Sequence, residues 1–76
     1  MPHVIVKLTV GRSEQLKQDI AAAVTAAVAT TAGLSEDLVS VSIEEFAQDD
    51  WAEQVYHPDI TNKPDTLYKK PGYTPG

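Results

Sequence analysis

The fold of this 76-residue chain is indicated by residues 2–33, PHVIVKLTVGRSEQLKQDIAAAVTAAVATTAG. The first part of this stretch alternates apolar and polar side chains, and this period of two predicts a β-strand over residues 2–10 with one apolar face. From Ser13 onward the apolar spacing changes to three and four, which predicts a helix over residues 13–32. Ser13 is a natural N-cap, and Gly33 stands where a left-handed residue commonly ends a helix. The stretch therefore reads as a strand followed by a long amphipathic helix.

A second strand is predicted over residues 39–46, after a loop at 34–37. A helix of about 20 residues spans roughly 30 Å, enough to return along the first strand, so the two strands are predicted to be parallel with a right-handed crossover. Asp49 and Asp50 are expected to cap a short helix from Trp51 to Pro58. Pro64 is expected to begin one more helical turn that runs through Tyr68. The tail, residues 69–76, is rich in turn residues. The fold class is α+β, with one domain over residues 1–76 built on a β-α-β unit.

Composition favours an oligomer. A chain of 76 residues buries only about 60 to 65% of its unfolded surface, and the absence of cysteine excludes disulfides and thiolate metal sites. Two strands and one helix also leave sheet edges uncovered. We expect a homodimer with a four-stranded sheet and both helices on one face, and a hexamer is the alternative.

Charge and hydropathy exclude several classes of partner. The formal net charge of -5, with Arg12 as the single arginine beside five lysines, argues against a nucleic-acid groove. No signal-peptide core and no apolar run near the length of a membrane span are present, so we expect a cytoplasmic protein without membrane contact. His3 and His57 do not form a metal-ligand cluster, and no cofactor is expected.

Pro2 is the first candidate for chemistry. Once Met1 is removed, the nitrogen of Pro2 changes from an amide into a secondary amine that can accept a proton. Apolar surroundings disfavour the charged form of an amine, which makes it a better base near neutral pH. Pro2 is therefore a candidate general base.

Arg12 and Pro2 lie at opposite ends of the first strand, about 30 Å apart at roughly 3.3 Å per residue. A two-fold axis that sets the two sheets antiparallel brings Arg12 and Trp51 of one subunit to Pro2 of the other, while Ser40 stays beside its own Pro2. Arg12 could bind a carboxylate bidentately as Pro2 moves a proton. This set suits enol and keto forms of a small carboxylate substrate.

Together these residues resemble the 4-oxalocrotonate tautomerase family over roughly residues 2–51. The resemblance implies this β-α-β fold in dimers or hexamers, with Pro2 as catalytic base, Arg12 as substrate-binding arginine, Trp51 as an apolar wall and Ser40 as a serine near the base. Hexameric members carry a second arginine in the second strand, where this chain has Ser42. The tail resembles that of a longer bacterial branch of the family, whose members are known to form dimers. The implied substrate is a monocarboxylate such as phenylenolpyruvate.

Other interpretations stay open. The chain could be a noncatalytic β-α-β oligomerisation or binding module, with Arg12 a solvated cation and Trp51 a plug in a dimer core. It could also be a hydratase or dehalogenase of unsaturated acids if Glu44 or Glu45 activated water. His3 is expected to be a spectator, and packing or interface roles are expected for the three tyrosines, Tyr56, Tyr68 and Tyr73.

Overall fold

The computed structural model describes residues 1–75, and its frame is a β-α-β unit. Strand β1 covers His3–Thr9, helix α1 covers Glu14–Ala32, and strand β2 covers Ser40–Phe46. The strands pair in parallel, with His3 opposite Ser40 and Thr9 opposite Phe46. The predicted architecture and the parallel pairing are therefore confirmed, and each strand is slightly shorter than its alternating pattern.

Both ends of α1 follow the sequence prediction. The Ser13 hydroxyl accepts a hydrogen bond from the Leu16 backbone nitrogen at 3.1 Å, which satisfies one of the free N–H groups of the first turn. Glu14 adds an acidic side chain in that turn, where the helix dipole favours negative charge. Gly33 ends the helix at φ 70°, ψ 39°, a left-handed conformation that glycine adopts without steric cost.

The segments around β2 differ from their predictions. The predicted loop at 34–37 contains a short 3-10 helix, Glu36–Leu38, capped by the Ser35 hydroxyl. After β2, a 3-10 helix Gln48–Asp50 leads into a ten-residue π-helix, Ala52–Thr61. Asp49 and Asp50 do not cap this helix, because they belong to the preceding 3-10 turn and Trp51 occupies the cap position without a side-chain hydrogen bond. The last short helix, Pro64–Thr66, ends before Tyr68.

Pro58 lies inside the π-helix. Proline has no N–H to donate, and in an α-helix its ring clashes with the carbonyl four residues earlier. The backbone here uses the wider i→i+5 pattern, in which the Asn62 nitrogen donates to the His57 carbonyl at 3.0 Å. The predicted helix therefore continues past Pro58 instead of ending there.

The two faces of the sheet contact different elements. Helix α1 lies on the face that carries Val41, Ile43 and Glu45, where Lys17 Nζ lies 2.8 Å from Glu45 Oε1. This hydrogen bond raises the pKa of Lys17 above its ordinary value. On the opposite face, Lys7 donates to Asp59 of the π-helix. The π-helix thus contacts this face of the sheet through Lys7.

Little of the described chain is fully buried. Ala29 and Val55 are its buried hydrophobic residues, each with 4% of its surface exposed. The predicted apolar stripe of α1 is only partly buried. Ile20, Val24 and Val28 are half-buried. The other members of the stripe are exposed, namely Leu16, Ala23, Ala27 and Thr31. Among residues 1–75, no helix is long and apolar enough to cross a membrane.

Candidate functional site

Pro2 and Ser40 lie together at the start of the two strands. The Ser40 backbone nitrogen donates to the Pro2 carbonyl at 3.1 Å, which fixes Pro2 at the beginning of the sheet. The Ser40 hydroxyl lies 2.7 Å from His3 Nδ1. Pro2 is half-buried, whereas Met1 is fully exposed. Removal of Met1 would therefore disrupt no packing and would leave the proline nitrogen at the surface of this end.

Arg12 and Trp51 lie together at the other end of the strands. They line one open cleft of about 390 Å³ with residues 7–9, Gln48 and Tyr73. Arg12 follows Gly11, whose φ of 116° lies in a region that side chains rarely adopt. Gly11 thus permits the sharp turn between β1 and α1 that carries Arg12 to the cleft.

The guanidinium of Arg12 is fixed through one of its nitrogens. Nη1 donates to the Thr9 carbonyl at 2.6 Å and to the Thr9 hydroxyl at 2.9 Å. The side chain makes no ion pair within residues 1–75. Because guanidinium has five N–H donors in a planar fork, the edge formed by Nε and Nη2 stays available for a planar anion.

Trp51 forms the aromatic wall of the cleft. Its indole Nε1 donates to the Tyr73 hydroxyl at 2.7 Å, and its ring meets Phe46 edge to face, with centroids 6.4 Å apart. Tyr73 in turn lies beside Tyr56, with ring centroids 5.7 Å apart. An aromatic cluster from β2, the π-helix and the tail therefore stands next to Arg12.

Lys7 is a second cation on the cleft, but its charge is compensated. Its ammonium is bonded to Asp59 and lies 5.8 Å from the centre of the Phe46 ring. Among residues 1–75, those that line the cleft include no carboxylate. The cleft consequently presents one cation without an ion-pair partner and an apolar aromatic wall.

The structure of one chain separates the predicted site residues into two groups. Pro2 and Ser40 stand at one end of the parallel strands, and Arg12 and Trp51 at the other. Among the other predicted candidates, Glu45 faces α1 and is bonded to Lys17, and Glu44 is exposed outside the Arg12 cleft. His57 packs edge to face on Tyr56. A single chain therefore cannot place Pro2 against Arg12.

Sequence reasoning missed five residues of the cleft, namely Lys7, Leu8, Thr9, Gln48 and Tyr73. Lys7 and Gln48 carry no pattern that distinguishes them from surface residues. For Tyr73 a signal was present, because the N–H of a partly buried tryptophan usually needs a hydrogen-bond partner. This chain has one tryptophan and three tyrosines, so a Trp–Tyr pair was a reasonable expectation.

The chain is similar to known proteins over most of its length. The sequence pattern of the family described as "Tautomerase enzyme" matches residues 2–56. The chain is 45% identical over 73 residues to a "Probable tautomerase" of Xylella fastidiosa, covering 96% of this chain and 89% of the relative. It is 41% identical over 75 residues to "Tautomerase PptA" of Pectobacterium carotovorum, covering 97% of this chain and 99% of the relative.

A third relative, the "2-hydroxymuconate tautomerase" of Bacillus subtilis, is 42% identical over 52 residues, which cover 68% of this chain and 84% of the relative. The family pattern extends from Pro2 through β1, α1 and β2 into the π-helix. The match thus includes both ends of the strands, where the two groups of site residues lie. The chain belongs to the tautomerase family and is accordingly an enzyme of the isomerase class.

Proposed function

We propose that this protein is a cofactor-independent tautomerase that interconverts the enol and keto forms of a small 2-keto monocarboxylate such as phenylenolpyruvate. The observation that carries the proposal is the cleft in which Arg12, without an ion-pair partner, stands beside the wall formed by Trp51. Pro2, freed from Met1, is the general base, and the partner subunit's Arg12 binds the carboxylate.

The proposed chemistry needs one base that releases the proton it takes. The Pro2 amine removes a proton from the enol oxygen, and the same proton, or one exchanged with water, is delivered to carbon as the keto form appears. No electron leaves the substrate, so the step needs no oxidant or reductant. A positioned base of this kind contributes about 10² to 10⁴ in rate.

The charge of the cleft supports a monocarboxylate. The Nε and Nη2 edge of Arg12 matches one carboxylate, and the other cation, Lys7, is already bonded to Asp59. Trp51 and Phe46 offer aromatic surface for an apolar substituent on the substrate. A second carboxylate would have no unpaired cation of this cleft to contact.

A dimer is the second part of the proposal. Pro2 and Arg12 lie at opposite ends of β1, about 30 Å apart by the rise of roughly 3.3 Å per residue. An antiparallel arrangement of two sheets around a two-fold axis joins the two groups in two equivalent sites. The exposed half of the α1 stripe, which includes Leu16 at 45% exposure, supports contact between two helices on one face of the joined sheet.

The alternatives have less support. Membership in an enzyme family opposes a noncatalytic module. A hydratase or dehalogenase would need a carboxylate to activate water, yet none lines the Arg12 cleft, and Glu45 is bonded to Lys17 on the other face of the sheet. Tautomerisation needs only a base and a carboxylate binder, and Pro2 and Arg12 are the candidates for these two roles.

The direct test is a keto-enol assay on phenylenolpyruvate with Pro2→Ala and Arg12→Ala. Pro2→Ala replaces the rigid secondary amine with a mobile primary amine, and loss of the positioned base is expected to lower kcat/KM by about 10² or more. Loss of the charge-assisted contact in Arg12→Ala should act mainly on KM, by about tenfold or more. Lys69→Ala, which removes an exposed cation of the tail, is the matched control and should leave both constants unchanged.

Intact mass completes the test, because a chain that retains Met1 has no basic nitrogen at Pro2. The active preparation should lack Met1. Full activity in Pro2→Ala, or in protein whose mass shows Met1 on every chain, would contradict Pro2 as the base.

A further inference from the structure

Tyr73, on the C-terminal tail, forms the wall between two clefts. On one side lies the Arg12 cleft, and on the other a cleft of about 320 Å³ between the π-helix and the tail. The ring is fixed from both sides, by the hydrogen bond from Trp51 and by the neighbouring ring of Tyr56. With 47% of its surface exposed, Tyr73 is still accessible to a ligand. The tail is thereby part of the surface that faces Arg12.

The direction of the Trp51 hydrogen bond determines what Tyr73 can offer. An indole N–H can only donate, so the phenol oxygen of Tyr73 is the acceptor in the 2.7 Å contact. The phenol keeps its own O–H donor, and the hydrogen bonds within residues 1–75 include none in which that proton is donated. Tyr73 therefore has a free donor at the edge of the cleft where Arg12 has its free donors.

We propose that Tyr73 is a specificity-determining residue of the substrate site, whose O–H donates to an oxygen of the 2-keto acid group that Arg12 binds. This inference rests on the proposed function, because it requires Arg12 to be the carboxylate binder. Tyr73 also positions Trp51 through the indole hydrogen bond. The tail thus contributes to substrate recognition, in addition to any role in packing.

The test compares Tyr73→Phe with Tyr68→Phe. Tyr68 lies immediately before the tail and is 99% exposed, so the control removes the same hydroxyl without a contact. The probe is benzoylformate, a 2-keto carboxylate that has no proton to enolise, and its binding is measured by titration calorimetry. Loss of a hydrogen bond to a charged ligand is expected to raise its Kd about tenfold in Tyr73→Phe. In Tyr68→Phe the Kd should stay within about twofold.

Fluorescence gives a second readout that does not depend on ligand or activity. Trp51 is the only tryptophan of the chain, so emission excited beyond the tyrosine absorption reports on its indole alone. Loss of the indole hydrogen bond in Tyr73→Phe should shift this emission, and Tyr68→Phe should leave it unchanged. In the keto-enol assay, Tyr73→Phe should raise KM more than it lowers kcat.

Arg12→Ala separates the two proposals. If it weakens benzoylformate binding while Tyr73→Phe does not, the inference on Tyr73 is wrong and the proposed carboxylate site stands. If Arg12→Ala binds benzoylformate as tightly as the wild type, the proposed carboxylate site itself is wrong. Equal losses in Tyr73→Phe and Tyr68→Phe, or an unshifted Trp51 emission in Tyr73→Phe, would also overturn the assignment.

Discussion

Arg12 and Lys7 illustrate how single contacts decide what a cation can do. Both line the same cleft, but Arg12 is bonded only to Thr9, which is neutral, whereas Lys7 is bonded to the carboxylate of Asp59. The positive charge of the Arg12 guanidinium is consequently available to a ligand, whereas that of the Lys7 ammonium is balanced by the carboxylate of Asp59. The proposed preference for one carboxylate depends on this difference.

Asp59→Asn should therefore change substrate preference. The amide keeps the size of the side chain but releases the charge of Lys7 toward the cleft. 2-Hydroxymuconate, which carries two carboxylates, should gain about fivefold in kcat/KM relative to phenylenolpyruvate, as expected for one partly exposed ion pair. Steady-state kinetics on both substrates measures this ratio. The control is Asp65→Asn on an exposed turn, and an unchanged ratio in Asp59→Asn would contradict the role of Lys7.

The candidate residues could be found from sequence only where their chemistry is distinctive. Pro2 and Arg12 could be selected because one can become an N-terminal amine and the other is the sole arginine. The Lys7–Asp59 and Trp51–Tyr73 contacts join residues 52 and 22 positions apart. No periodicity links such positions, so these contacts required the structure.

At the level of elements, predictability follows the strength of local signals. Alternation, the Ser13 cap and Gly33 defined β1 and α1, and all three signals are local. The π-helix could not be predicted, because its wide turns depend on how the chain accommodates Pro58 while Lys7 bonds to Asp59, the next residue. Because helices usually end at or before a proline, this helix was predicted to end at Pro58, whereas it continues to Thr61.

Gly33→Ala tests the left-handed backbone conformation of the residue that ends α1. Nothing lies within 4 Å of a methyl group built there, so the cost comes from the backbone conformation alone, and the free energy of unfolding should fall by about 1 kcal/mol. Chemical denaturation measures this loss. Gly72→Ala is the matched control: its surroundings are equally open and its φ is not in the left-handed region. Its stability should be unchanged or slightly higher, and equal losses in both variants would contradict the assignment.

For the whole molecule, the small core and the division of the site between two ends of the strands both indicate that the chain needs a partner. Residues 1–75 bury two hydrophobic side chains, Ala29 and Val55, while Ile5, Val10 and Leu16 are each about half exposed. So small an apolar interior gives little stability to a chain of this length. The same chain keeps Pro2 a strand length away from Arg12. A partner that covers apolar surface and completes the site would meet both needs.

Subunit mixing tests the shared site directly. Measured at substrate concentrations well below KM, Pro2→Ala and Arg12→Ala chains alone should each keep about a tenth of the wild-type activity or less. If Pro2 of one subunit works with the partner's Arg12, random reassociation of equal amounts should restore about a quarter of the wild-type activity, because one pairing in four combines two intact residues. Mixing Pro2→Ala chains with a Pro2→Ala, Arg12→Ala double variant is the control and should restore nothing. If the first mixture also stays inactive after verified subunit exchange, then both residues act within one chain and the shared site is wrong.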